Sequence, residues 1–291
     1  MSEIPNFNAE NETLRKYGSD VKIRNYWNRH AQKQSGEVIV AGALSKSSIS
    51  EQGASKAKEL GGGIEASQHG AKAYVSESPR TRETAESILN GYQESNPDVP
   101  IRNIAIREQL TLNFPKEFLE LYDKKFTESR AKLMQEMGLD PDNFKSLPPD
   151  EQEKIAEKAE EPILAEWLSG QTDLSQLQSP EMAAYNFAQL FNRRHNRMAS
   201  KLYSGSEIDL FHISHRGIME PFLTSGILID EEGQRVNNID QLGGSLAILE
   251  GWESEVDTDS DGNATISVIL RNKRYSVDND VLHQLVEGKN E

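Results

Sequence analysis

Apolar side chains alternate over residues 21–27, broken only by Asn25, and this period of two predicts a short strand. The strand runs into Asn28-Arg29-His30-Ala31, and Gln32-Lys33-Gln34-Ser35-Gly36 then has the polarity of a loop. A helix is predicted over 48–60, with Ser48 and Glu51 placed as a capping box and Gly61-Gly62-Gly63 as its stop. The apolar run 71–75 predicts a buried strand. Ser78 as N-cap and Pro79 at the first helical position then open a helix to about residue 90. A third strand is expected over 101–106, closing at Arg107-Glu108. After a long helix over 180–203, a nearly continuous apolar strand, 208–213, ends in Ser214-His215-Arg216-Gly217. A short helix near 217–225 and two strands, 245–255 and 264–277, complete the pattern.

Between 114 and 178 the period changes. Phe118, Leu119, Leu121, Tyr122 and Phe126 recur at helical spacing, and a second helical run covers about 149–168. Asp140-Pro141-Asp142 and Leu147-Pro148-Pro149 separate the two. The stretch reads as a helical insertion, too long for an ordinary connection, and is expected to pack near the ligand-binding end as a cap. Its acidic run, 150–161, reads as a solvated face. Elsewhere strands and helices alternate, which argues for a three-layer α/β/α sandwich around a mostly parallel mixed sheet. The domain so defined spans 21–291, and residues 1–20, rich in Asn, Glu and Ser, are expected to be a flexible segment.

Composition narrows the classes. The negative mean hydropathy and 27% charged residues are those of a soluble protein. No apolar run approaches a membrane span, and the polar start carries no signal-peptide pattern. With no cysteine there can be no disulfide, thiolate metal site or cysteine nucleophile, which fits a cytoplasmic location. A net charge of −15 argues against nucleic acid and anionic membranes as partners. An anionic small substrate would need a local positive pocket set against this field. Oligomeric state leaves no trace in the pattern.

In parallel sheets ligands sit beyond the carboxyl ends of the strands. His30 ends the first predicted strand, Arg80 follows the second, Glu108 ends the third and His215 the fourth. These side chains suit phosphoryl transfer through a covalent intermediate. A neutral imidazole is a competent nucleophile when its other nitrogen is held by a hydrogen bond. Arg29 and Arg80 offer planar forks to the equatorial oxygens, and a protonated His215 would add a further donor. Glu108 is the carboxyl placed to protonate a departing alkoxide. Arg and His supply the positive charge, so neither a metal nor a cofactor is called for.

On these motifs the chain resembles the histidine phosphatase superfamily, with its phosphoglycerate-mutase-like fold. Arg29-His30-Ala31 matches the family's Arg-His-Gly, and Ile49-Ser50-Glu51-Gln52-Gly53 is similar to its Leu-Thr-x-x-Gly. Ser76 through Arg80-Thr81-Arg82-Glu83-Thr84-Ala85 matches Ser-x-x-x-Arg-Ala-x-x-Thr-Ala. Ile106-Arg107-Glu108 fits Leu-x-Glu, and Ser214-His215-Arg216-Gly217 resembles Ser-His-Gly. The resemblance implies that His30 is the phosphorylated nucleophile, that Arg29, Arg80 and His215 hold the phosphate, and that Glu108 donates the proton. The implied activity is metal-independent hydrolysis of a phosphate monoester. A cofactor-dependent phosphomutase and a non-catalytic phospholigand-binding protein are the alternatives. The substrate would be a phosphorylated small molecule, with phosphoproteins also open.

Two departures stand out. Ala31 adds a methyl group where the backbone is expected to turn close to the phosphate, and Arg216 adds a cation at the rim. No Asp follows His215, so the acid-phosphatase branch fits less well. Lys33 and Ser35, in the loop after the nucleophile, and Arg216 are candidate substrate contacts. Arg82 is expected on the solvent side of its helix, His212 in the core, and His69, His195 and His283 on the surface. The run Asp257-Thr258-Asp259-Ser260-Asp261-Gly262 resembles the start of a calcium loop, yet Val268 stands where a bidentate Glu is needed. A polar hairpin turn is the better reading.

Overall fold

The computed structural model describes residues 17–32, 48–111, 114–170 and 172–287. The order begins with β1 (Lys22–Arg29), α1 (Glu51–Gly62), β2 (Ala71–Val75), α2 (Pro79–Ser95) and a two-residue β3 (Ala105–Ile106). Helices α3 (Lys116–Glu136), α4 (Pro149–Leu168), α5 (Asp173–Leu177) and α6 (Pro180–Asn192) follow. Then come β4 (Glu207–Ser214), α7 (Glu220–Leu223), β5 (Leu228–Ile229) and β6 (Gly251–Thr258). The last elements are β7 (Ala264–Leu270), β8 (Lys273–Val277) and α8 (Asn279–Glu287). The chain is α/β. Its strands form one mixed sheet in the order β3-β2-β4-β1-β6-β7-β8-β5, parallel from β3 to β1 and antiparallel from there on.

The pleat sends alternate residues to two cores. Ile23 and Trp27 of β1 pack with Phe187 and Phe191 of α6, Phe222 of α7 and Leu282 of α8. Tyr26 faces the other way, with Ala57 of α1 and Ile88 and Tyr92 of α2. The insertion has its own small core of Phe118, Ile163, Leu164, Trp167 and Leu174. Asn25, the break in the first strand's pattern, is buried because its Oδ1 accepts a hydrogen bond from His212 Nε2 at 3.0 Å.

Several expectations shift. Ser50, not Ser48, caps α1, its Oγ accepting from Gly53 N at 3.0 Å. Ser48 is drawn away by Glu83 of α2, whose carboxylate accepts from Ser48 Oγ at 2.9 Å and Ile49 N at 2.8 Å. The glycine run does end α1, with Gly63 as its C-cap and Gly61 and Gly62 as the last helical residues. A Cβ on Gly61 would lie 1.9 Å from Ile88 O, and one on Gly91 1.8 Å from Lys58 O, so these glycines let α1 and α2 touch backbone to backbone. The predicted 101–106 strand shrinks to β3 plus an isolated bridge from Ile101 to Ala71. The predicted 180–203 helix ends at Asn192 and widens into a π turn, Arg193–Arg197. The helix expected near 217–225 is the four-residue α7. The predicted 264–277 strand is two, folded at Arg271 and Asn272, whose φ values of 52° and 62° suit a two-residue hairpin. The acidic run before β7 is a turn, with Asp259 Oδ1 accepting from Asp261 N and Asn263 N, both at 2.9 Å. Among the described residues no helix is long and apolar enough to cross a membrane. Of the segment expected to be flexible, 1–16 lies outside the described residues.

Candidate active site

Three parallel strands end on one edge. His30 follows β1, and its backbone N–H donates to Ser214 O, the last residue of β4, at 3.0 Å. His215 is therefore its neighbour, with ring centroids 5.2 Å apart. Ser76 follows β2, and Pro79 starts α2 so early that Arg80 falls in the first turn. Arg29, His30, Arg80 and His215 are each less than a tenth exposed.

The hydrogen bonds fix the proton positions. His30 Nδ1 lies 2.8 Å from Ala31 O, and a carbonyl can only accept. Nδ1 therefore carries the hydrogen, and the lone pair of Nε2 is left for chemistry. His215 Nδ1 lies 3.1 Å from Arg80 Nη2, which can only donate. The hydrogen of a neutral His215 is then on Nε2 and is donated to Ser76 Oγ at 2.9 Å. Ser76 passes the direction on to Thr81 Oγ1 at 2.8 Å, which donates to Ser78 O. Burial, reinforced by Arg80, His215 and Arg29, holds His30 well below its ordinary pKa. Burial, then Arg80 and Arg29, does the same to His215. The expected protonated His215 is thus neutral here, because burial first, and then two guanidinium groups, oppose a further positive charge.

The motif residues explain themselves by contact. Thr84 Oγ1 accepts from Ala31 N at 2.9 Å and donates to Arg80 O at 2.6 Å, tying α2 to the His30 loop. A Cβ on Gly53 would lie 2.7 Å from Gln32 O, so this loop presses against α1 there. The Ala31 methyl does not crowd the pocket. It is fully buried in the core between the sheet and α1–α2.

The insertion reaches the same edge, and here the sequence reading fails. The acidic run is not wholly solvated. Arg29 Nη1 donates to Glu157 Oε1 at 3.0 Å and to Leu246 O at 3.1 Å, and Arg29 Nη2 lies 3.8 Å from Glu160 Oε2. Arg216 Nη1 donates to Glu160 Oε2 at 2.7 Å and Arg216 Nη2 to Leu246 O at 3.2 Å. Tyr122 of α3 donates to Glu160 Oε1 at 2.6 Å. Burial pushes the Glu160 carboxyl up, but Arg29, Arg216 and Tyr122 outweigh it and hold it below the ordinary range. The signal was in the spacing. Glu157, Glu160, Leu164 and Trp167 fall three, four and three apart, so the two carboxylates continue the apolar stripe of α4. Arg29 Nε stays buried without a hydrogen-bond partner among the described residues. The loop carrying Leu246 is held by Arg271, whose guanidinium donates to Ser245 O at 2.8 Å and to both oxygens of Glu250.

Glu108 opens the turn after β3, exposed, with no side-chain hydrogen bond or ion pair among the described residues. Lys33 and Ser35 lie outside them. Arg82 pairs with Glu86 at 3.0 Å on an exposed face, as expected. His212 is fully buried, also as expected. His69 and His283 are exposed, but His195 is not. It lies four residues after buried Phe191 on the same face, where Nδ1 donates to Phe191 O at 2.6 Å and Nε2 accepts from Ser254 Oγ at 2.7 Å. Among the described residues no group of three or more His, Asp or Glu is arranged to hold a metal ion.

No protein-family model and no curated protein matches this sequence. Solved structures similar to it include a phosphoglycerate mutase from Bacillus anthracis, 15% identical over 92% of this chain and 98% of that one, with a TM-score of 0.41. The alpha-ribazole phosphatase from Shigella flexneri is 14% identical over 87% and 94%, at 0.40. A phosphoserine phosphatase from Entamoeba histolytica is 14% identical over 81% and 90%, at 0.39. At such scores the chemistry of the site has to be read from this chain's own residues.

Proposed function

We propose that this protein is a phosphoryl-transfer enzyme that hydrolyses phosphate monoesters through a phosphohistidine on His30, without a metal. The observation that carries this reading is the meeting of His30, His215, Arg29 and Arg80 at the ends of three parallel strands. The Nε2 lone pair of His30 attacks phosphorus while Arg29 Nε and the Arg80 fork take charge from the equatorial oxygens. Glu108, exposed and unengaged at the end of β3, the strand beside β2, delivers a proton to the departing oxygen and later draws one from the water that discharges the phosphohistidine. Glu160 does not serve as the acid, because its arginine partners keep it ionised.

Hydrolysis is favoured over a mutase by the charge at the rim. A mutase needs further cations for a distant second phosphate, and here Glu157 and Glu160 neutralise Arg29 and Arg216 instead. The part of the substrate beyond the phosphate is therefore neutral or cationic. The test is turnover of a chromogenic phosphate monoester with and without chelator, alongside His30→Ala and His215→Ala. Chelator-resistant turnover lost in both variants supports the proposal, and turnover retained by His30→Ala contradicts it. Phosphate taken up and released only to a sugar or glycerate acceptor marks the mutase.

A further inference from the structure

The chain carries 47 acidic and 32 basic residues, so an unneutralised group of cations runs against its composition. One such group lies at the β3 edge of the sheet. Lys72 and Tyr74 share a face of β2, and Arg107 lies two residues beyond Ala105, the β3 partner of Tyr74. The Tyr74 ring has Arg194 Cζ 3.8 Å from its centroid, Arg107 Cζ at 4.9 Å and Lys72 Nζ at 5.3 Å. Arg194 comes from the π turn after α6, a widening of the helix that is frequent at functional sites. It is 7% exposed, it donates one bond to Tyr74 Oη at 3.1 Å, and its Nε is buried without a partner among the described residues.

No carboxylate answers these charges among the described residues. The charged groups that act on Lys72 are Arg107, Arg194 and Arg102, all of which push its pKa down after burial has done so. Those on Arg194 include Arg107 and Arg193, with only the Tyr74 hydroxyl opposing. An aromatic face attracts one cation well but cannot neutralise three. Arg194, the buried member of the three, persists as a charge where a counter-ion completes it.

We propose that Lys72, Arg107 and Arg194, gathered around Tyr74, bind a small multivalent oxyanion of the phosphate class at a site sharing no side chain with the pocket at His30. Two guanidinium forks and an ammonium offer donors to three terminal oxygens, more than a single carboxylate can use. The burial of Arg194 requires a compact anion rather than an acidic chain segment. Arg107 adjoins Glu108, and Tyr74 stands two positions before Ser76, the partner of His215, so occupancy bears on two elements of the neighbouring pocket. The proposal stands whether or not the pocket hydrolyses monoesters.

The test is calorimetric titration of pyrophosphate into protein carrying Arg80→Gln, which disables the phosphate-binding arginine of the other pocket. One pyrophosphate per chain is expected to bind, and adding Lys72→Gln and Arg107→Gln is expected to weaken it about tenfold or more. Pyrophosphate should also raise the melting temperature of the Arg80→Gln protein and not that of the triple variant. No uptake by Arg80→Gln protein, or equal affinity in the triple variant, overturns the site. Tighter binding of an oligoglutamate peptide than of pyrophosphate overturns the ligand class.

Discussion

Two pairs of buried histidines sit on two neighbouring parallel strands, β1 and β4, and their covering helix, and they do opposite things. His195 and His212 are fully buried and stacked among aromatics, His212 lying 3.8 Å from the Trp27 ring centroid. Burial lowers the pKa of both, that of His195 to about 3 despite the carbonyl of Phe191. His30 and His215 are lowered too, again by burial first, but with Arg80 and Arg29 adding to it. A neutral buried imidazole is thus common to both pairs and identifies neither as a nucleophile. The difference lies in what the second nitrogen meets. His195 has both nitrogens committed within the core and His212 Nδ1 is sealed among aromatic rings without a partner among the described residues, whereas His30 has Nδ1 fixed by a carbonyl and Nε2 open among guanidinium groups.

The largest expected effect separates the pairs by chemistry. His30→Ala is expected to cut monoester turnover by roughly three orders of magnitude or more, whereas His212→Asn lowers the unfolding midpoint and leaves kcat of the folded fraction near that of the wild type. Steady-state kinetics paired with urea denaturation on both variants checks this. Arg80→Gln comes next, with kcat/KM expected to fall roughly a hundredfold, because it removes a preorganised donor to the transition-state oxygens.

Acid sharpens the comparison from the stability side. An unfolded imidazole titrates near pH 6.5, and all four buried ones are held below this in the fold. Below about pH 6.5 the unfolded chain binds protons that the folded chain does not, so stability is complete above that value and falls as pH drops towards the folded pKa values. Each unit of depression is worth about 1.4 kcal/mol per group. Urea midpoints between about pH 7.5 and 5 should fall steeply in the wild type and less steeply in His212→Asn. A flat profile would mean that the four are not buried neutral.

The smallest effect concerns the carboxylates from the insertion. Glu157→Gln keeps an acceptor for Arg29 but removes a negative charge beside the pocket at His30, so product inhibition by inorganic phosphate is expected to tighten by roughly tenfold or less. Weaker inhibition would show that Glu157 acts by holding Arg29 in place rather than by its charge.

How much of this was legible depends on how local the cause is. Ser78-Pro79 opening α2, the alternation of β1 and the apolar β4 are written in neighbouring residues, and these place His30, Arg80 and His215 on one edge. The features that escaped are set by tertiary contact. Glu157 and Glu160 look like part of an ordinary charged helix until Arg29 and Arg216 lie opposite. His195 continues the buried Phe187–Phe191 stripe at four-residue spacing, but its partner Ser254 comes from a distant strand. The β7–β8 hairpin folds at Arg271-Asn272 without the glycine that usually marks such a turn, and the same Arg271 holds Glu250.

The central claim is that His30 carries the phosphoryl group. The direct measurement is acid-free quenching during turnover of a phosphate monoester, followed by peptide mapping of the labelled residue by mass spectrometry. An acid-labile, base-stable phosphoryl group on the peptide containing His30, absent in His30→Ala, is the predicted result. Turnover with the label on another residue, or with no covalent label under conditions that preserve phosphohistidine, would contradict it.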